Sequence, residues 1–129
     1  DAMFNWVTGN AQLEIVTLNS NNITLNQNAA SHFQASQYVL VGFSQNSEIG
    51  IKPVSKRDMD LNAYPKENLH KISIGKGYAK INNKALCDLI SAKVGKPLTG
   101  QKIYARFDET ENVLIFDIDA LSNGEEVLV

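Results

Sequence analysis

Lys71, Lys76, Tyr78, Lys80 and Lys84 are the residues of this chain whose types and spacing point most directly to chemistry. Side chains alternate between faces along an extended strand, so Lys76, Tyr78 and Lys80 fall on one side of a single hairpin. Lysines grouped this way neutralise phosphates and release counterions, and a tyrosine among them can contact a sugar or stack. The chemistry is therefore non-covalent binding of a nucleic acid. Lysine supplies charge without the bidentate base reading of arginine, so such a site favours the phosphate backbone over sequence. The competing structural explanation is an exposed strand kept soluble by its lysines.

Other reactive residues form no recognisable site. Gly75-Lys76-Gly77 has the wrong spacing for a phosphate loop and precedes a strand rather than a helix, so a hairpin turn explains it. His32 and His70 have no Cys or His at ligand spacing, and no metal is expected. Cys87 falls on the inward side of a helix as a small core residue, and as the single cysteine it can form no internal disulfide. Nothing near Asp117 and Asp119, or near Asp108, Glu109 and Glu111, would separate two carboxyl pKa values, so these read as turn and edge charges. No Ser, His and Asp suggest a triad. The expectation is a chain with no catalytic residues and no cofactor.

Charge is segregated beneath a net value of −2. Residues 1–51 hold three acids and no base, residues 52–106 hold all twelve bases against four acids, and residues 107–129 hold seven acids and no base. An asymmetry of this size can mark a surface for a polyanion, or an acidic tail that neutralises a basic middle. With 129 residues, 43% apolar and 20% charged, the composition is that of one globular domain. No apolar run is long enough to cross a bilayer and no secretion-signal layout opens the chain, so no membrane partner is expected. The lone cysteine suits a reducing compartment, and a cytoplasmic location is expected. Asp1-Ala2 ahead of Met3 reads as a remnant before the natural start.

The elements that must position these residues come from a duplication. Ile23-Thr24-Leu25-Asn26 followed by Ala29 and Phe33 recurs as Ala79-Lys80-Ile81-Asn82 followed by Ala85 and Leu89. Residues 13–18 and 23–25 read as a hairpin around the turn-forming 19–22, with Asn26 as the N-cap of a short helix through Phe33. Strands follow at Tyr38–Phe43 and Glu48–Val54, with Pro53 marking the end of pairing. In the second copy, residues 70–74 and 78–81 form the hairpin around Gly75-Lys76-Gly77. Asn82 caps a helix to about Ala92 with Leu86, Leu89 and Ile90 at helical spacing, Gly95 stops it, and two strands end near 118. Matched inward positions are Val16 with Ile72, Leu18 with Ile74, Leu25 with Ile81, Val41 with Ala105, Phe43 with Phe107, Ile49 with Val113, and Ile51 with Ile115. The fold class is mainly β with short helices: a single-chain pseudo-dimer of two β-β-α-β-β units around one core. One domain spans 3–119, with repeats 13–54 and 69–118 joined by a polar linker 55–68, and an acidic tail 120–129.

This order of hairpin, capped short helix and second hairpin resembles the swapped-hairpin barrel of the AbrB family of bacterial transition-state regulators, in the tandem arrangement of MraZ-type regulators. The resemblance covers about residues 13–118 and rests on element order. Family members carry Gly-Arg or a similar basic residue in the first hairpin, a Pro at the helix start and an Arg in its first turns. The first half has Asn21-Asn22, Asn26 and no base before Lys52, and the second half has Gly75-Lys76-Gly77 with Lys80 and Lys84. The resemblance implies a DNA-binding transcriptional regulator that contacts duplex DNA mainly through the second-repeat hairpin, with two chains pairing as a homodimer to widen the basic face. A double-psi barrel is the alternative architecture, and strand pairing separates the two. The alternative function is a non-catalytic protein-interaction module of unknown partner.

Overall fold

In the computed structural model, which describes residues 3, 4, 6 and 12–122, alternating apolar and polar residues build strands joined by short polar turns. β1 (Glu14–Leu18) folds back onto β2 (Asn22–Asn26), with the Asn19 N–H donating to the Asn22 carbonyl at 2.9 Å. Asn26 then caps α1 (Gln27–Ala30), which tightens into a 3-10 turn, Ser31–Phe33. β3 (Tyr38–Phe43) and β4 (Glu48–Val54) form the second hairpin. After α2 (Lys56–Asp60) and a 3-10 turn at Lys66–Asn68 come β5 (His70–Lys71), β6 (Ser73–Gly75) and β7 (Tyr78–Asn82). α3 (Lys84–Val94), β8 (Gln101–Asp108), β9 (Val113–Asp117) and α4 (Asp119–Ser122) complete the described chain.

The nine strands form one sheet in the order β5-β3-β4-β9-β8-β1-β2-β7-β6, and every pairing is antiparallel. The segment 70–75 pairs with β3 at one end and with β7 at the other, so the two edges of the sheet meet in a nearly closed barrel. At the switch, Ile72 turns inward, 4% exposed, and its N–H donates to the Gln37 carbonyl at 3.1 Å. Closure removes the unpaired edges that an open sheet of this size would present. Val16, Leu18, Ile23, Leu25, Val39, Ile49, Ile51 and Ile81 fill the interior, joined by Phe33 from the 3-10 turn and Ile90 from α3. His32 ties α1 to the wall, its Nε2 2.8 Å from Glu14 Oε1 and its ring stacked on Phe107 at 3.8 Å between centroids.

Several expectations shift by one residue. Asn82 ends β7 and Asn83 caps α3, its side-chain oxygen accepting from the Leu86 N–H at 3.0 Å. The buried stripe of α3 is consequently Leu86, Cys87, Ile90 and Val94, and Leu89 is 59% exposed. A step of one residue turns a helix by about 100°, enough to carry Leu89 off the core side. In β9 the inward residues are Leu114 and Phe116, opposite Ile51 and Ile49, and Val113 and Ile115 face outward. Because strand side chains alternate, a single extra residue in the turn before β9 exchanges its faces. Phe43 keeps the register of Val39 and Val41, opposite the buried Ile49, but at the end of β3 it is 37% exposed.

Pro53 does not end pairing: it lies opposite Val39, and Val54 lies opposite Tyr38. It sits beyond the last β4–β9 pair, where a missing N–H removes no ladder bond on that side. The expected linker contains α2, capped by Ser55, whose hydroxyl accepts from the Asp58 N–H at 3.0 Å. A helix of five residues is too short to show a period in sequence. Packing also runs past residue 119, since Leu121 is fully buried and its carbonyl accepts from Lys96 Nζ at 2.8 Å. Residues 123–129 of the expected tail lie outside the described residues.

Candidate nucleic-acid interface

Ala79 and Ile81 are completely buried, so the alternation of β7 turns Tyr78 and Lys80 outward. Across the hairpin Tyr78 lies opposite Gly75 and Lys80 opposite Ser73. The Tyr78 ring lies over the glycine backbone: a Cβ at Gly75 would come within 2.3 Å of the ring carbons. Gly75 therefore lets the ring approach the strand closely while leaving Tyr78 43% exposed. Lys76 is exposed in the turn, where Gly77 takes the left-handed φ of 86° that a tight turn requires and a Cβ resists.

The other two expected site residues stand apart from this hairpin face. Lys71 is exposed on β5, in the part of the segment that pairs with β3. Lys84 opens α3, and its Nζ is 3.0 Å from Asp88 Oδ2, an exposed pair one helical turn apart. The structure adds one lysine that spacing did not single out. Lys80 pairs with Thr24, Thr24 with Thr17, and Thr17 with Lys102, so β7, β2, β1 and β8 carry a continuous outward row. Three strand spacings separate its two lysines, about 14 Å. The alternation of Lys102 with the buried Ile103 marks it as outward in sequence, but its nearness to Lys80 depends on the β8–β1 pairing.

Most of the other bases are already engaged. Lys56, Lys84 and Arg106 form ion pairs, Lys52 and Lys96 donate to backbone carbonyls, and Lys93 lies over the Phe43 ring. Lys71, Lys76, Lys80 and Lys102 have no ion pair or hydrogen bond among the described residues. No family model, curated protein or solved structure matches the chain. Its reading rests on this geometry.

Among the described residues no three His, Cys, Asp or Glu side chains group as a metal site. Burial pushes the Cys87 thiol above its ordinary pKa, with a smaller push from Asp88 that Lys84 opposes. The thiol stays protonated and packs as a core side chain.

His70 sits at the base of the hairpin and is coupled to the α3 cap. Asn83 Nδ2 lies 3.1 Å from His70 Nδ1, while the same Asn83 caps the helix through its oxygen. Desolvation by burial lowers the His70 pKa below its ordinary 6.5. Protonation would also set an N–H against the Asn83 amide donor. Because the unfolded chain binds this proton more readily than the folded one, the His70 contribution is complete above pH 6.5 and is lost as the pH falls below it. The urea midpoint is expected to drop between pH 7.5 and pH 5.5, and His70→Gln should flatten that drop. Equal pH dependence in both proteins would refute the coupling.

Proposed function

We propose that this chain is an AbrB-like DNA-binding transcriptional regulator, non-enzymatic, that holds the phosphate backbone of duplex DNA on the outward face of the β6–β7 hairpin. The observation that carries the reading is the set of unpaired lysines Lys76, Lys80 and Lys102 beside the exposed Tyr78, on a molecule whose other bases are mostly engaged internally. Thr24 and Thr17 between Lys80 and Lys102 add hydroxyls that can donate to phosphate oxygens.

The strand order supports the finer reading of two swapped-hairpin units in one chain. Hairpin β1–β2 lies between β8 and β7, and hairpin β8–β9 lies between β1 and β4. Likewise β3–β4 is flanked by β5 and β9, so each of these hairpins is held by strands of the other half. Intact hairpins placed this way favour the swapped-hairpin arrangement over the double-psi one. The two halves then meet at the β2–β7 seam, which bears Thr24 and Lys80 on its outer side.

The test is the affinity for a labelled duplex measured over a salt series. Each phosphate contact contributes about −0.9 to the slope of log K against log salt, so Lys76→Ala with Lys80→Ala should flatten it by about two, and Lys102→Ala by about one more. Lys56→Ala, on α2, should leave the slope unchanged. Absence of binding at low salt would overturn the proposal.

A further inference from the structure

The outer faces of β3, β4 and β9 enclose an apolar groove of about 360 Å3, lined by Leu40, Gly42, Gly50, Val113 and Ile115. Gly42 and Gly50 lie directly opposite each other, and Ile115 lies opposite Gly50 on the far side. At Gly50 the missing side chain makes room for Val113, whose Cγ1 would lie 2.8 Å from a Cβ there, and the space over Gly42 stays open. A Cβ at Gly42 would meet nothing within 4 Å. Along β4 the outward neighbours of Gly50 are Glu48 and Lys52, and both are engaged: Glu48 accepts from Arg106 at 3.2 Å, and Lys52 donates to the Glu111 carbonyl at 2.6 Å. The groove thus offers apolar surface with its nearest charges already satisfied.

A second hollow, of about 250 Å3, continues the groove across the barrel wall. It shares Glu48 and Ile115 with the first and adds Tyr104 and Arg106 from β8, the strand that pairs with the start of β1. Glu14 lies opposite Ala105, Ala105 opposite Phe116, and Phe116 opposite Ile49. The chain therefore enters β1 three strand spacings from β4, about 14 Å. Ahead of β1 stand two exposed aromatic residues, Phe4 at 63% and Trp6 at 86%, with ring centroids 5.7 Å apart. The seven residue steps from Trp6 to Leu13 extend about 24 Å at most, more than the distance to be covered.

We propose that this trough receives the chain's own N-terminal aromatic segment, which leaves the exposed position it has in this structure to lay Phe4 and Trp6 over Ile115 and the Gly42–Gly50 pair. The apolar lining fits aromatic rings, and the shared hollow along β8 and β9 gives the backbone a path from β1 to the groove. A short tether holds the segment at an effective concentration near the millimolar range, which favours its own groove over that of a second copy. The inference stands independently of DNA binding.

Trp6 is the sole tryptophan, so its fluorescence reports docking directly. The full chain is expected to show blue-shifted emission and weak quenching by acrylamide, both independent of protein concentration. Gly42→Phe, which fills open space at a residue without left-handed φ, should red-shift the emission and raise the quenching constant several-fold while circular dichroism stays native. In the unaltered chain, NOEs from the Trp6 indole to the methyls of Leu40 and Ile115 give the same answer without relying on a variant. Solvent-like Trp6 emission in the unaltered chain would overturn the proposal. So would protection that appears only as concentration rises, which would assign the groove to a second copy.

Discussion

Phe33→Ala is expected to lower the unfolding free energy by about 3–5 kcal/mol, a large part of the stability of a domain this size. Phe33 is among the largest fully buried side chains, delivered to the core by the 3-10 turn that tightens α1. Its removal leaves a cavity among residues from both halves, in the same cluster as Ile81 and Ile90. The wall around it is a nearly closed sheet that can collapse only slightly, so the cavity term adds to the lost transfer energy. Leu89→Ala is the matched control. It removes the residue that simple repeat alignment sets against Phe33, yet Leu89 is 59% exposed and its loss should stay within about 0.5 kcal/mol. Urea denaturation of the three proteins checks both values. Equal losses would mean that α3 is rotated relative to this structure.

That control shows where the sequence could be read and where it could not. The strands of both halves are legible because period-two alternation is strong in stretches such as Ile23-Thr24-Leu25 and Ala79-Lys80-Ile81, and the structure has these as β2 and β7. What fails is register. One extra residue before α3 makes Asn83 the match of Asn26, and Leu86, Cys87 and Ile90 the buried matches of Ala29, Ala30 and Phe33. A second extra residue before β9 makes Leu114 and Phe116 the matches of Ile49 and Ile51. Either asparagine of Asn82-Asn83 can cap, and the choice is made by the pairing of Asn82 with Asn22, a contact between halves that no local pattern contains.

The candidate interface divides in the same way. The outward placement of Tyr78 and Lys80 follows from the apolar residues between them and is local information. Membership of Lys102 in the same row is not, because it needs β8 beside β1 and β2 beside β7. The separation of Lys84 from the row follows from its place at the start of α3, where it pairs with Asp88 one helical turn on. The apolar groove was also hidden, since it arises where Gly42 and Gly50 meet across a hairpin and Val113 and Ile115 turn outward by the register shift.

Asn26→Ala is the second large effect, expected at about 2–4 kcal/mol although the residue is polar and only partly buried. One side chain serves three groups. Its Oδ1 accepts from the Ala29 N–H at 3.1 Å, capping α1, and from the Ile15 N–H at 3.0 Å, beyond the last β1–β2 pair. Its Nδ2 donates to the Leu13 carbonyl at 2.9 Å. Losing the cap alone costs about 0.5–2 kcal/mol, and Ile15, only 6% exposed, would keep an N–H with no replacement partner, about 1–3 kcal/mol more. The Leu13 carbonyl is protected because Asn28 also donates to it at 2.9 Å. Asn26→Asp should therefore recover most of the loss: the carboxylate accepts both N–H bonds, and only the donation to Leu13 is forfeited. Asn83 works in the same way in the second half, capping α3 while its amide meets His70 at the start of β5. Asn26 also lies opposite Tyr78 on the outer side of the β2–β7 seam, but it carries no charge. Its loss should lower the urea midpoint and leave the slope of DNA affinity against salt unchanged, whereas Lys76→Ala with Lys80→Ala should do the reverse. A salt slope that moved with Asn26→Ala would mean the cap shapes the lysine row itself.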